Sequence, residues 1–261
     1  MTNELLLLAG NDIPFPEARL TIHQPTIKEI GYIGEEAFFT GCGFLHFSKK
    51  ILDEKDKSNL DKYDDFDIFM SIIVNKEKTA KQTVDCAFLV LSLLFPLHEI
   101  TIDVRKNGYA MLFKKDEVVN EINKTNFSKF KEILEEMFVL KLTNKDSEYN
   151  PAGTMAERIA QKFKDRQEQL RKLTKEAVNK KISILNRYVS ILAVGQQKDL
   201  NSLMQYTVYQ LYDEFQRFQL KVQWDAYVQA RMAGAKDLEE VDNWMIDLKD
   251  QGQNKNKKTK K

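Results

Sequence analysis

The sequence predicts an α+β fold that is predominantly helical: an N-terminal part with a small antiparallel sheet or hairpin plus helices, and a C-terminal helical bundle. Three observations carry this. Period-two alternation is confined to the first half, at Arg19-Leu20-Thr21-Ile22 and again at Ile100, Ile102 and Val104. Apolar residues spaced three and four apart dominate after residue 154. Between them the polar run from Thr143 to Gly153, containing Asn150-Pro151-Ala152-Gly153, interrupts both patterns. The expected organisation is an α+β domain over 1–142, a linker over 143–153, a helical domain over 154–249 and a disordered lysine-rich tail over 250–261.

Taken in order, Leu5-Leu6-Leu7-Leu8 reads as a short strand, and Pro14-Phe15-Pro16 as a break before the alternating Arg19 to Ile22. Gln24 to Gly31 reads as a short helix with Pro25 in its first turn and Gly31 as a left-handed cap. Thr79-Ala80-Lys81-Gln82 is a capping box, in which the threonine oxygen accepts from the fourth amide and Gln82 reaches back. The helix it opens carries Val84, Phe88, Leu91 and Phe95. After Pro96, the alternating Ile100, Ile102 and Val104, an Asn107-Gly108 turn, and Met111 and Phe113 specify a hairpin. A further helix from Phe127 to Val139 places Phe127, Phe130, Leu134 and Phe138 on one side, with Asn126 or Thr125 as its cap.

In the second half, Thr154-Met155-Ala156-Glu157 is another capping box, opening a charged helix with Ile159, Phe163, Leu170 and Leu173 toward one face. Ile182, Leu185, Val189 and Leu192 mark the next helix, expected to stop at Gly195. Asp199 to Gln205 suggests one short turn of helix. Thr207-Val208-Tyr209-Gln210 is a third capping box, and Val208, Leu211, Phe215, Phe218 and Val222 form a seam for a second helix to pack along. The long helix is expected to end at Gly234. A final helix is expected from Asp237 and Glu240, with Val241, Trp244, Met245 and Leu248 on its apolar side.

Composition limits the function. Apolar residues make up 43% of the 261, enough for a substantial core. The formal charge is +1, and five of the last seven residues are lysine (Lys255, Lys257, Lys258, Lys260, Lys261), so taking those five away leaves about −4. A near-neutral body argues against broad phosphate-backbone binding, which needs a stripe of lysine and arginine. Cys42 and Cys86 stand alone without a CxxC partner, which suits a reducing compartment. The leucine run follows Glu4 and is too short for a signal-peptide core, so secretion is not expected. The longest apolar stretch, Val84 to Leu97, carries Asp85 and falls short of the roughly 20 residues a bilayer requires. The expected location is the cytoplasm.

The chemistry of an enzyme is not legible. His23, His46 and His98 neighbour no nucleophile motif, and His46 with Cys42 supplies only two of the four ligands a zinc site needs. Gly41-Cys42-Gly43 lacks the later glycine of a phosphate loop. Asp61, Asp64, Asp65 and Asp67 lack the glycine and bidentate glutamate of a calcium loop and read as a solvated cap before Phe66 to Val74. Catalytic, cofactor and metal sites are therefore not assigned. The aromatic residues of the second half stand out instead, because one long helix cannot bury Tyr206, Tyr209, Tyr212, Phe215, Phe218, Trp224 and Tyr227 on a single stripe. Tyr209, Tyr212, Trp224 and Trp244 are the candidate partner contacts, since aromatics with a polar tip are enriched at interfaces.

The segments Tyr149 to Gly153, Arg187 to Gly195, Leu203 to Phe218 (LMQYTVYQLYDEFQRF), and Ala233 to Asp237 with Trp244-Met245 resemble proteins encoded in the tail modules of tailed bacteriophages. They are most similar to tail assembly chaperones. The resemblance covers most of 100–248 and, more loosely, Leu20 to Glu35. It implies a non-catalytic factor in the host cytoplasm that escorts the tape measure protein, recruits tail tube subunits and leaves the particle, with self-association open. It also implies a longer frameshifted product. Two other readings remain: a nucleic-acid-binding accessory protein using the lysine tail and the basic stretch from Arg158 to Lys181, or a structural subunit retained in the virion tail. The expected mechanism is reversible burial of partner helices in a groove.

Overall fold

A computed structural model describes residues 4–46, 48, 62–75, 81–106, 108–139, 183–234, 241–246 and 248. It is an α+β fold in which helices predominate, with two small antiparallel sheets in the first half and helices in the second.

The chain begins with helix α1, Glu4–Ala9, in place of the strand expected at Leu5 to Leu8. Leucine is a strong helix former, and only Leu7 of the four is buried, so a two-sided strand has nothing to cover it. The helix closes at Gly10, whose φ of 70° is open to glycine without strain. There the Gly10 amide donates to the Leu7 carbonyl and the Asn11 amide to that of Leu6, each at 3.1 Å, the paired bonds of a Schellman motif. Strands β1 (Ile13–Phe15) and β2 (Leu20–Ile22) then pair Ile13 with Ile22 and Phe15 with Leu20, burying all four.

Helix α2, Ile27–Ile33, starts at a capping box not recognised in the sequence. Thr26 accepts from the Glu29 amide at 3.2 Å, while the Glu29 carboxylate accepts from the Thr26 amide at 2.7 Å. The helix runs through Gly31, correcting the cap expected there, and turns at Gly34, where φ is 88°. Helix α3, Glu35–Leu45, follows, and it packs against α5, Lys81–Leu94. A Cβ on Gly41 would lie 2.4 Å from the Cys86 carbonyl oxygen, so the glycine permits this close crossing. The inward face of α5 is Cys86, Ala87, Val90, Leu91 and Leu94, with Val84 and Phe88 only half-buried, so the predicted stripe is rotated.

Between α3 and α5 lies α4, Asp65–Asn75, a helix over the segment that the expected acidic cap precedes. Asp64 caps it by accepting from the Asp67 amide at 2.8 Å. The acidic residues before and within its first turn are held by lysines from across the fold: Lys124 meets Asp64 and Asp67, and Lys131 meets Asp65 at 2.7 Å. Asp61 is outside the described residues.

The predicted hairpin is present as β3 (Glu99–Arg105) and β4 (Gly108–Lys115), pairing Ile100 with Phe113 and Ile102 with Met111. A third strand, β5 (Val118–Asn123), extends it to the order β3-β4-β5. Helix α6, Phe127–Met137, buries Phe127, Phe130 and Leu134 as its spacing requires, with Phe138 buried just beyond. The Asn126 side chain makes no cap, against expectation: its oxygen accepts from the Asn123 amide and its nitrogen reaches the Glu121 carbonyl, fixing the end of β5.

In the second half, α7 spans Ile184–Gln196, α8 Leu200–Met204 and α9 Val208–Met232. Gly195 does not stop α7. It sits inside the helix, where a Cβ would lie 2.3 Å from the Phe218 ring, and the left-handed residue is Gln197 at φ 56°. The short helix expected from Asp199 to Gln205 is α8, and Asp199 caps it by accepting from the Ser202 amide at 3.0 Å. At the start of α9, Gln210 accepts from the Thr207 amide at 2.9 Å and its own amide donates back to the Thr207 hydroxyl at 3.3 Å, the full capping box. Val208, Leu211 and Phe215 of the seam are buried, Phe218 is partly covered, and Val222 is half exposed, so the seam ends before the helix does. Residues 241–246 take turns and irregular backbone, correcting the final helix expected through Val241, Trp244 and Met245.

Several expected features lie outside the described residues: Thr79 and Ala80, Asn107, the linker, the Thr154 capping box and the helix after it, Ile182, Asp237, Glu240 and the lysine tail.

Buried side chains from both halves form one contiguous cluster, running from Leu7 and Phe15 through Phe95 and Phe130 to Leu192, Leu211 and Phe215. Each large side chain buried in it contributes on the order of 2 kcal/mol. Polar bonds reinforce the junction. Thr26 and Thr207, the two capping threonines, form a β-bridge, and the Ile27 amide donates to the Tyr206 carbonyl at 2.8 Å. The Glu35 carboxylate accepts from the Ile184 amide at 2.7 Å, the Leu185 amide at 3.3 Å and the Ser183 hydroxyl, so α3 supplies the cap of α7.

Candidate functional site

The three histidines are held apart. His23 bridges Asp12 at 2.8 Å and Glu29 at 3.4 Å, His46 pairs with Glu135, and His98 packs edge-on against Phe95. Cys42 is fully buried and burial pushes its thiol up, leaving it a poor nucleophile and a poor ligand. Among the described residues, no three His, Cys, Asp or Glu side chains gather into a metal-binding group. No described helix is long and apolar enough to cross a membrane.

What the fold does build is an open groove of about 470 Å³ along α9. Leu8 of α1 forms one wall. The floor is the face of α9 carrying Gln210, Asp213, Glu214, Arg217, Phe218 and Lys221, and Tyr206, Gln196 and Trp244 complete the lining. Gln210 holds the Leu8 wall in place, donating from Nε2 to the Leu8 carbonyl at 2.8 Å. The same side chain therefore starts α9 and anchors α1 beside it.

Charges around the groove are paired. Lys198 meets Glu214, donates to the Tyr206 hydroxyl at 2.9 Å and lies 5.3 Å from the centre of the Tyr206 ring. Burial alone would lower the Lys198 pKa, but Glu214 and Tyr206 outweigh it and raise the value, keeping the ammonium charged. Arg217 is fixed by Asp213 one helical turn back, its Nε donating to the carboxylate at 3.2 Å. Its Nη1 then points to the backbone carbonyls of Trp244 and Ile246, each at 3.5 Å. The groove thus mixes apolar and aromatic side chains with paired charges, and one of its cations, Arg217, is aimed at main-chain carbonyls.

The four aromatic candidates separate. Trp244 lines the groove and is 36% exposed. Tyr209 and Tyr212 pack on the core instead: Tyr212 is half-buried, stands edge-on to Tyr188 at 5.3 Å, and has its pKa pushed up to about 12 by burial, with Tyr188 and Glu35 adding to it. Trp224 lies farther along α9, its ring 5.8 Å from that of Tyr227. Leu8, Arg217 and Gln210 were not singled out as site residues from the sequence. The Asp213-x-x-x-Arg217 spacing was a readable sign of an ordered guanidinium; nothing local pointed to Leu8, about 200 residues away.

Residues 178–249 match the family model of the YomV second domain, a phage-derived (Bacillus prophage) family, which supports a phage protein of some kind. The matched stretch contains every lining residue of the groove except Leu8. Neither a curated protein nor a solved structure matches the chain.

Proposed function

We propose that this protein is a non-catalytic phage tail assembly chaperone, which holds apolar segments of the tape measure protein in the α9 groove and helps recruit tail tube subunits in the host cytoplasm. The observation that carries this reading is the groove itself. It is open, lined by Leu8, Tyr206, Phe218 and Trp244 together with polar and charged side chains, and among these Glu214 is paired with Lys198 and Arg217 with Asp213. Such a surface gains free energy by covering apolar area, roughly 25 cal/mol per Å², and imposes little sequence demand on what covers it. That combination fits an escort of a long partner chain.

Two further points support it. Of the segments resembling tail assembly chaperones, Leu203 to Phe218 supplies most of the groove floor and Trp244-Met245 supplies Trp244 of the lining. The phage-derived family match falls on the same stretch. Phage origin alone would fit many roles; the chaperone role rests on the groove and the resemblance together.

The test is co-purification. The tagged protein is expressed with the neighbouring tail genes, isolated with and without nuclease, and its companions are identified by mass spectrometry. Recovery of a very long tape measure chain or a tube subunit, insensitive to nuclease, is the expected result. Recovery that nuclease abolishes would replace this reading with nucleic-acid binding, and presence of the protein in purified virions would replace it with a structural role.

A further inference from the structure

Strand β3 is an edge of its sheet, with β4 on one side and, among the described residues, no strand on the other. The direction of its backbone groups follows from the two hairpin turns. Arg105 with Gly108 and Lys115 with Val118 each close a two-residue loop, and a pair that closes such a loop is a hydrogen-bonded pair. Bonded pairs recur at every second residue, so Gly108, Ala110, Leu112 and Lys114 bond to β3, while Met111, Phe113 and Lys115 bond to β5. The amides and carbonyls of Ile100, Ile102 and Val104 therefore point away from β4. Among the described residues nothing bonds to them.

Such a row of unpaired groups is a template for another strand, and neither a proline nor a bulge interrupts it. Ile100, Ile102 and Val104 share the face that carries Met111 and Phe113 of β4 into the core, yet Val104 is 62% exposed. Glu99, Thr101, Asp103 and Arg105 share the other face. The sequence of the strand complements itself. Turned end for end about Ile102, it sets Ile102 against Ile102, Ile100 against Val104, Thr101 against Asp103 and Glu99 against Arg105. The outward residues then fall on the bonded pairs, and the charges at the two ends are opposite. Moving the axis by one residue sets Asp103 against Glu99 in one direction and against itself in the other, so like charges disfavour both neighbouring registers. Arg105 commits Nε to Asp103 at 2.8 Å and Nη2 to Glu121 at 2.6 Å, which leaves Nη1 for a further carboxylate.

We propose that β3 is a self-association edge, and that two copies of this chain join through it as an antiparallel pair with its two-fold axis at Ile102. Ile100, Ile102 and Val104 of each copy exchange backbone bonds with Val104, Ile102 and Ile100 of the other. Glu99 of one copy meets Arg105 of the second at each end of the pair. The two sheets become one continuous sheet, and its apolar face covers Val104. This goes beyond the chaperone reading and does not rest on it.

The experiment uses the purified full chain with no other protein present, so its failure is separate from any failure to capture a tape measure chain. Sedimentation equilibrium at concentrations up to about 1 mM should show a monomer–dimer equilibrium. Val104→Pro removes an outward amide at a position where an edge strand tolerates proline, and should weaken the dimer about ten-fold or more with helical circular dichroism unchanged. Val104→Lys, which sets an ammonium against Ile100 of the second copy, should weaken it too. The register is read by mixing Thr101→Cys protein with Asp103→Cys protein. These positions lie opposite each other at a Cα separation of about 4.5 Å, whereas each is offset from its own copy by more than about 7 Å, so oxidation should cross-link the mixture and neither protein alone. A chain that stays monomeric throughout, a dimer that both Val104 substitutions leave intact, or cross-linking no greater in the mixture than in its components would overturn the pairing.

Discussion

Replacing Glu35 should loosen the second half of the protein from the first, by an amount that can be worked from its bonds. The carboxylate receives the Ile184 and Leu185 amides and the Ser183 hydroxyl, at the first turn of a 13-residue helix. Removing a helix cap costs about 0.5–2 kcal/mol, and the loss of a negative charge at a helix N-terminus adds about 0.3–1 kcal/mol. Ser183 also caps the helix through the Asn186 amide at 3.0 Å and remains in place, which keeps the loss below the sum of the extremes. Glu35→Ala should therefore cost about 2 kcal/mol, and Glu35→Gln, which keeps an acceptor but not the charge, about 1 kcal/mol. For a chain of this size each kcal/mol lowers the melting temperature by roughly 2–4 °C. The assay is thermal unfolding followed by circular dichroism, with urea titration to check that the m-value is unchanged. An alanine variant within 1 °C of the unaltered protein would refute the assignment of Glu35 as the cap, and a glutamine variant worse than alanine would refute the charge argument.

Three other outcomes follow from the packing. Gly195→Ala drives a methyl into the Phe218 ring and Gly41→Ala into the Cys86 carbonyl; each should cost about 1–3 kcal/mol in urea unfolding, with Gly41 the worse because backbone must move. Tyr209→Ala combined with Tyr212→Ala removes two rings that pack on the core, so it should lower the melting temperature by several degrees together with partner capture; a loss of capture with unchanged stability would instead mark the rings as direct contacts. Burial raises the Glu29 carboxyl, but bonds from the Thr26 amide and hydroxyl and from His23 outweigh it and hold it below the ordinary 4.5. Its contribution to stability is accordingly present above that value and lost as pH falls through the lowered native one. Glu29→Gln should flatten the acid limb of a stability-versus-pH curve below pH 4.5, and an unchanged limb would count against the capping box as its source.

Much of the fold was legible because it is written in short range. The Thr207–Gln210 box, the alternation of Ile100 and Ile102 and the Phe127, Phe130, Leu134 stripe each lie within a few residues, and each forms as read. The Thr26–Glu29 box has the same short-range signature, set between Pro25 and Gly31, which are themselves signals of a helix start and a helix stop. Leu5 to Leu8 misled because four identical residues have no period; the glycine behind them was the better guide. The groove was mostly illegible. Leu8, Arg217 and Trp244 meet only through the tertiary fold, and the helical spacing of Val241, Trp244, Met245 and Leu248 does not make 241–246 a helix.

The groove is a joint product of the two halves, which bears on how the matched stretch 178–249 works. That stretch carries the floor and Trp244, but not Leu8, the Glu35 cap of α7 or the Thr26 bridge to Thr207. Gln210 shows the dependence most directly. Its Oε1 accepts from the Thr207 amide to begin α9, and its Nε2 donates to the Leu8 carbonyl, so the helix that forms the floor and the helix that forms the wall are set by one side chain. Gly10 leaves room for this: a Cβ there would lie 3.1 Å from Gln210 Nε2. The first half thus acts as a scaffold that fixes one wall and two helix starts, and a change in it reaches the groove through Gln210 and Glu35 without touching any lining residue but Leu8.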